Sequence, residues 1–140
     1  MRHTVQVPMR WSDMDAYGHV NNVVYLQYFE MARVDLFFER ASLEERTGLR
    51  RGTVVATNDI QYKLPVVYSP RPLDVQIWVS EVRAAAFRCH YEVFDHERLA
   101  VTGSTLLVPF DFSMNRPRRL TPDEKEFLGR WADEPADTAG

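Results

Sequence analysis

The chain of 140 residues is poor in several features that narrow its function. It holds one cysteine, Cys89, so no intrachain disulfide can form and a four-cysteine zinc site is excluded. Such usage fits a reducing compartment, and the cytoplasm is the expected location. No stretch approaches the ~18 consecutive apolar residues of a membrane-spanning helix. The opening MRHTVQVPMRW lacks the apolar core of a secretory leader, and none is expected. A basic excess is also missing. Lys and Arg number 17 against 20 Asp and Glu, for a net charge of -3, which argues against a nucleic-acid partner. Internal repeats and low-complexity tracts are absent from the sequence.

What remains is globular. Hydrophobic residues make up 45% and charged residues 26%. A chain of this length is one domain, and it buries roughly two-thirds of its unfolded surface. The expected domain spans residues 1–131, with 132–140 as a loose tail.

Periodicity orders the elements. Val5, Val7, Met9 and Trp11 alternate with polar neighbours, as in a half-buried strand, and Pro8 places that strand at an edge or a bulge. A polar, turn-rich stretch follows around Gly18. From Asn21 to Arg40 there is no Gly or Pro, and apolar side chains surround the expected helix on nearly all sides. A helix of that kind is expected to be buried on most sides, wrapped by a curved sheet. Four further strands are expected over 53–64, 73–80, 87–93 and 99–110, joined by short antiparallel connections. The segment 99–110 is apolar on both faces, which suits a central strand, and Asp95–Arg98 reads as a hairpin turn. Near the end, Thr121, Pro122 and Glu124 form the capping box of a short helix. The fold class is α+β, with a five-stranded antiparallel sheet wrapped around one long central helix and a short C-terminal helix.

The chemistry concentrates in Trp11–Arg33, WSDMDAYGHVNNVVYLQYFEMAR. Asp15 lies in a loop just before a helix start, where unpaired N–H groups and a partial positive charge can hold an anion or a developing oxyanion. A carboxylate beside such donors is a workable site for acyl transfer. The stretch DMDAYGHVNNVVYLQYFEMAR resembles the signature of the hotdog-fold thioesterases, in particular the 4-hydroxybenzoyl-CoA thioesterase family and its acyl-CoA thioesterase relatives. The likeness continues through YKLPVVYSPRPLDVQIWVSEV and 87–108, so it covers roughly residues 3–120. Met14 stands where Thr or Cys is usual, and Leu73 where Gly is common.

The resemblance implies hydrolysis of an acyl-CoA thioester to free acid and coenzyme A, with no cofactor beyond the coenzyme A of the substrate. Asp15 would attack the thioester carbonyl or activate water. A backbone N–H near Asn21 or Asn22 would polarise the carbonyl oxygen, and Tyr17, Gly18 and His19 would shape the turn and orient the substrate. Glu30 is the backup acid, because some hotdog groups use a carboxylate on this helix. Against that role, Arg33 three residues on makes a surface ion pair. Lys63, Arg83 and Arg88 are candidates for coenzyme A phosphates. Hotdog domains form dimers and tetramers with sites at the subunit interface, so a homo-oligomer is expected. An acyl carrier protein thioester and a non-catalytic acyl-CoA binder are the competing readings.

Other constellations in the sequence carry less. DMDAYG opens like a calcium loop, but the fifth position is Tyr17 and the twelfth Val24, so the ligand set fails. His3, His19, His90 and His96 show no metal-ligand spacing. Cys89 and His90 are neighbours on a strand and face opposite sides, so they form no nucleophile–base pair. Asn58 interrupts an apolar face and either serves the site or bonds locally. Asp13 reads as a structural turn residue.

Overall fold

The computed structural model describes residues 1–40 and 51–133. Five antiparallel strands form one sheet: β1 (His3–Val7), β2 (Thr53–Tyr62), β3 (Leu73–Ser80), β4 (Phe87–Asp95) and β5 (Arg98–Asp111). Their order is β1-β3-β4-β5-β2, and a two-residue strand β6 (Arg116–Pro117) pairs with β5. Alternation sets the faces. On β4, Phe87, Cys89, Tyr91, Val93 and Asp95 are buried, while the residues between them are half-buried on the outer face. Asp95 and Arg98 face each other across a turn in which His96 and Glu97 take φ of 52° and 73°, as a tight hairpin requires.

The inner face carries helix α1 (Val24–Val34). It buries Tyr25, Tyr28, Phe29 and Ala32 against the sheet. The Phe29 ring stacks on Tyr91 with centroids 4.1 Å apart, and it lies directly over Gly103, where an added Cβ would come within 2.6 Å of it. Glycine at that point is what lets the helix ride so close to the strands.

Two expectations about this helix need correction. It begins at Val24 rather than Asn21, and a π-helical segment, Asp35–Arg40, follows directly on it, so its α-helical part is 11 residues long. Nor is it buried on most sides: Leu26, Met31, Val34 and Phe38 are exposed. One sheet of a single chain can cover only one side of a helix, and the second apolar stripe faces outward.

The sheet's two edges differ. β1 packs against α1 through its inner face, whereas β2 is exposed along most of its length on both faces, Val55 to 45%. β5 lies between β4 and β2, as its two-sided apolar character implies. Asn58 bonds locally, its side-chain oxygen accepting the Thr105 hydroxyl at 2.8 Å.

Helix α2 (Pro122–Arg130) starts with the expected capping box, Thr121 accepting from the Glu124 N–H at 3.1 Å. Glu124 is buried and holds Arg118 through two 2.8 Å hydrogen bonds. Arg118 is therefore an internal tie rather than part of a free basic patch. Ala132 bridges Val79, and the Asp133 N–H donates to the Val79 carbonyl at 3.1 Å, so the chain is still held at these two positions. The remainder of the expected tail, 134–140, lies outside the described residues. Cys89 is fully buried, and burial pushes its thiol up to about 12, consistent with a core role.

Candidate active site

The loop between β1 and α1 is built by hydrogen bonds from three residues. Asp13, at the end of a 3₁₀ turn (Trp11–Asp13), is buried. Its carboxylate accepts from the Arg10 N–H and guanidinium, each at 3.0 Å, and from the Tyr28 hydroxyl at 2.7 Å. Burial works against ionisation of Asp13. The Arg10 N–H, the Tyr28 hydroxyl and the Arg10 charge outweigh it and hold the carboxyl below the usual carboxylate range. Tyr28 belongs to α1, so Asp13 fastens the loop to the helix.

Beyond Asp13 the chain makes a small hairpin in which Met14 bridges Val20. Gly18 supplies the left-handed corner with φ 78°. The Asp15 side chain folds over this tip. Its Oδ1 accepts from the Tyr17 N–H at 2.9 Å and the His19 N–H at 3.4 Å, which leaves Oδ2 without a partner among the described residues. The Val20 N–H donates to the Val66 carbonyl at 2.9 Å and draws the hairpin toward the segment after β2.

Asn21 closes the loop. Its N–H donates to the Asp13 carbonyl at 3.0 Å, and its side-chain oxygen accepts from the Val23 N–H at 3.2 Å. The Asn21 N–H is thereby occupied and cannot polarise a substrate. The Asn22 N–H has no partner among the described residues, and the Asn22 carbonyl accepts the Tyr62 hydroxyl at 3.0 Å.

These elements enclose a cleft of ≈ 620 Å³. Asp15, Tyr17, His19 and Asn22 line it from the loop, Tyr25 from α1, and Tyr62, Lys63, Leu64 and Pro65 from the exit of β2. Of the residues singled out from sequence, Asp15, Tyr17, His19, Asn22 and Lys63 therefore come together, with Gly18 and Asn21 shaping the turn. Glu30, Arg83 and Arg88 do not line this cleft. Glu30 is exposed on α1, and its expected partner Arg33 instead donates to the Tyr91 hydroxyl at 2.9 Å. Arg88 is held by Glu81 at 2.6 Å and Arg83 lies 3.9 Å from the same carboxylate, at the β3–β4 connection. Tyr25 and Tyr62 were missed from sequence. Tyr25 belongs to the apolar stripe of the helix, and periodicity does not reveal where its hydroxyl points.

Among the described residues no group of three or more His, Cys, Asp or Glu is arranged to hold a metal ion. The cleft is lined by Asp15 and Asn22, whose carboxylate Oδ2 and backbone N–H have no partner among the described residues, beside apolar and aromatic walls. That combination suits attack on an acyl carbon.

Comparison with known proteins agrees with this reading of the fold. The family model for the thioesterase-like superfamily matches residues 9–130. The chain belongs to that superfamily. The match takes in the whole loop, α1 and every long strand after it. This thioesterase-like chain is 30% identical over 125 residues to the uncharacterized protein YsmA of Bacillus subtilis, covering 88% of this chain and 82% of the relative. It is 36% identical over 64 residues to the long-chain acyl-CoA thioesterase FadM of Escherichia coli, a match that spans 46% of this chain and 48% of FadM. A thioesterase from Thermus thermophilus, solved with coenzyme A and Zn, superposes with a TM-score of 0.77 at 29% identity, covering 94% of this chain and 95% of that one. The curled antiparallel sheet over α1 is accordingly the hotdog arrangement of the superfamily.

Proposed function

We propose that the protein hydrolyses an acyl-coenzyme A thioester to a free carboxylic acid and coenzyme A, with Asp15 as the reacting carboxylate. The observation that carries this reading is that one cleft is lined by two residues holding groups without a partner among the described residues, Asp15 with Oδ2 and Asn22 with its N–H. The Tyr17 and His19 N–H groups fix the carboxylate through Oδ1 and leave Oδ2 free to act. As nucleophile, Oδ2 adds to the thioester carbon, the C–S bond breaks, and water then hydrolyses the mixed anhydride. As general base, Oδ2 takes a proton from water, the resulting hydroxide adds to the same carbon, and the proton passes to the departing sulfur. In both routes negative charge gathers on the carbonyl oxygen, to which the Asn22 N–H can donate a hydrogen bond. One such donor is commonly worth about 100- to 1,000-fold in rate.

Lys63, on the cleft wall, is the cation best placed for a phosphate of coenzyme A. The thioesterase solved with coenzyme A supports a coenzyme A ester as substrate. The exposed edge β2 and the outward apolar stripe of α1 support a homodimer or homotetramer, in which a second copy covers both. The single buried cysteine fits a reducing cytoplasm.

The test is release of free thiol from a panel of acyl-CoA substrates. Asp15→Asn should lower kcat by orders of magnitude with an unchanged thermal melt. Turnover by Asp15→Asn equal to that of the parent on a good substrate would sink the assignment.

A further inference from the structure

The cleft has a rim and a floor. Tyr17 is 85% exposed and Tyr62 48%, whereas Tyr25 is 2% exposed, the most buried of the residues around it. The Tyr25 ring is fixed edge-on to Tyr28 at 5.7 Å and tilted against Tyr62 at 5.8 Å. Both of those neighbours have a partner for the hydroxyl, Tyr28 on Asp13 and Tyr62 on the Asn22 carbonyl. The Tyr25 hydroxyl has none among the described residues. Nor is it sealed in the core: among the described residues it is not one of the fully enclosed side-chain atoms that lack a hydrogen-bond partner, such as Trp78 Nε1 and Arg118 Nε. The oxygen of Tyr25 therefore opens onto the cleft that its side chain lines. A buried hydroxyl without a partner is costly, and at the bottom of a binding cleft a ligand can supply what the protein does not.

Burial and the nearby charge of Asp95 push the Tyr25 hydroxyl up to about 12. At neutral pH it is a proton carrier for hydrogen bonding, not a base.

We propose that the Tyr25 hydroxyl reads the acyl group, hydrogen-bonding an uncharged hydroxyl or keto oxygen carried beyond the thioester. This inference rests on Asp15 as the reacting carboxylate, because that places the thioester at the rim and sends the acyl group to the floor. A plain hydrocarbon reaching Tyr25 displaces water and leaves the hydroxyl stranded. An oxygen at the same place completes it.

The experiment compares the parent enzyme with Tyr25→Phe, a change that keeps the ring and removes only the hydroxyl. Substrates are matched pairs of acyl-CoA thioesters, straight-chain and aromatic, each pair differing by one hydroxyl or keto oxygen on the acyl group. The parent should favour the oxygenated member of at least one pair by about tenfold or more in kcat/KM, and Tyr25→Phe should abolish that preference. The proposal is overturned if no pair is discriminated, if the preference survives in Tyr25→Phe, or if both members lose rate equally. It is also overturned if the variant misfolds or changes its oligomeric state, since the hydroxyl then serves structure. If no thioester is hydrolysed by the parent, the reading of Asp15 fails separately. Calorimetric Kd values for the same pairs on both proteins then decide the role of Tyr25 by the same ratio.

Discussion

The hydroxyl of Tyr62, the last residue of β2, donates to the backbone carbonyl of Asn22 at 3.0 Å. It ties the free edge of the sheet to the turn at Asn22, a residue that lines the cleft. The aim of the Asn22 N–H thus depends on a side chain 40 residues away in sequence.

Tyr62→Phe should therefore slow turnover by about tenfold while costing little stability, because a half-exposed hydrogen bond contributes only about 0.5–1.5 kcal/mol. Thiol-release kinetics beside a thermal melt would show it. An unchanged kcat would mean that the turn holds its geometry without Tyr62.

Asp13 fastens the loop that carries Asp15, the carboxylate proposed to react. Asp13→Ala strands the buried Tyr28 hydroxyl and releases the loop from α1, at a cost of about 1–3 kcal/mol. Urea unfolding should register that loss, with turnover falling alongside as the hairpin carrying Asp15 loosens. Equal stability in Asp13→Ala and parent would remove Asp13 from this role.

Stability should fall in acid through Asp13 and Glu124. Burial opposes ionisation of Glu124, but Arg118 and the Thr121 N–H outweigh it and keep the carboxyl low. Both groups titrate below their ordinary values of 3.8 and 4.5, so the unfolded chain binds protons first as pH drops. Their contribution is complete above those values and disappears as pH falls through the lower, folded ones. Melts across this range should show a steep loss that is shallower in Glu124→Gln. Arg118→Ala, which leaves Glu124 buried and unpaired, should cost about 3–5 kcal/mol at neutral pH. A pH profile of Glu124→Gln that overlays the parent would contradict the assignment.

The edge strand gives a prediction about assembly. Val55 is 45% exposed on β2, and Val55→Lys places a charge on an edge of the kind that sheets use to block pairing. Sedimentation should show a parent oligomer and a dissociated variant with reduced turnover. A parent that sediments as a monomer would rule out the dimer.

Much of the sheet was legible in the sequence because a strand's faces alternate with period two, a pattern that β4 holds without a break and β3 holds from Leu73 to Ile77. The helix was less legible. Apolar residues on all sides of 24–38 suggested a wrapped helix, but a single chain has too little sheet to wrap it, and its second stripe lies outward. The change to π-helical winding at Asp35 has no periodic signature. In the site, Asp15 and the turn after it could be placed from a local motif, since their hydrogen bonds are mostly made within ten residues. Tyr25 and Tyr62 could not, because their roles depend on a long-range approach of β2 to the helix. That Arg83 and Arg88 lie away from this cleft was not legible for a related reason: charge type says nothing about which end of a sheet a residue occupies.

Full enclosure of Cys89, the sole sulfhydryl of the chain, has a practical consequence. A colorimetric dye that traps sulfhydryls will be blind to the folded enzyme and will count only the thiol released from a thioester. One extra equivalent of colour per subunit, emerging on heating or with denaturant, would then clock the opening of the β4 core in the same cuvette.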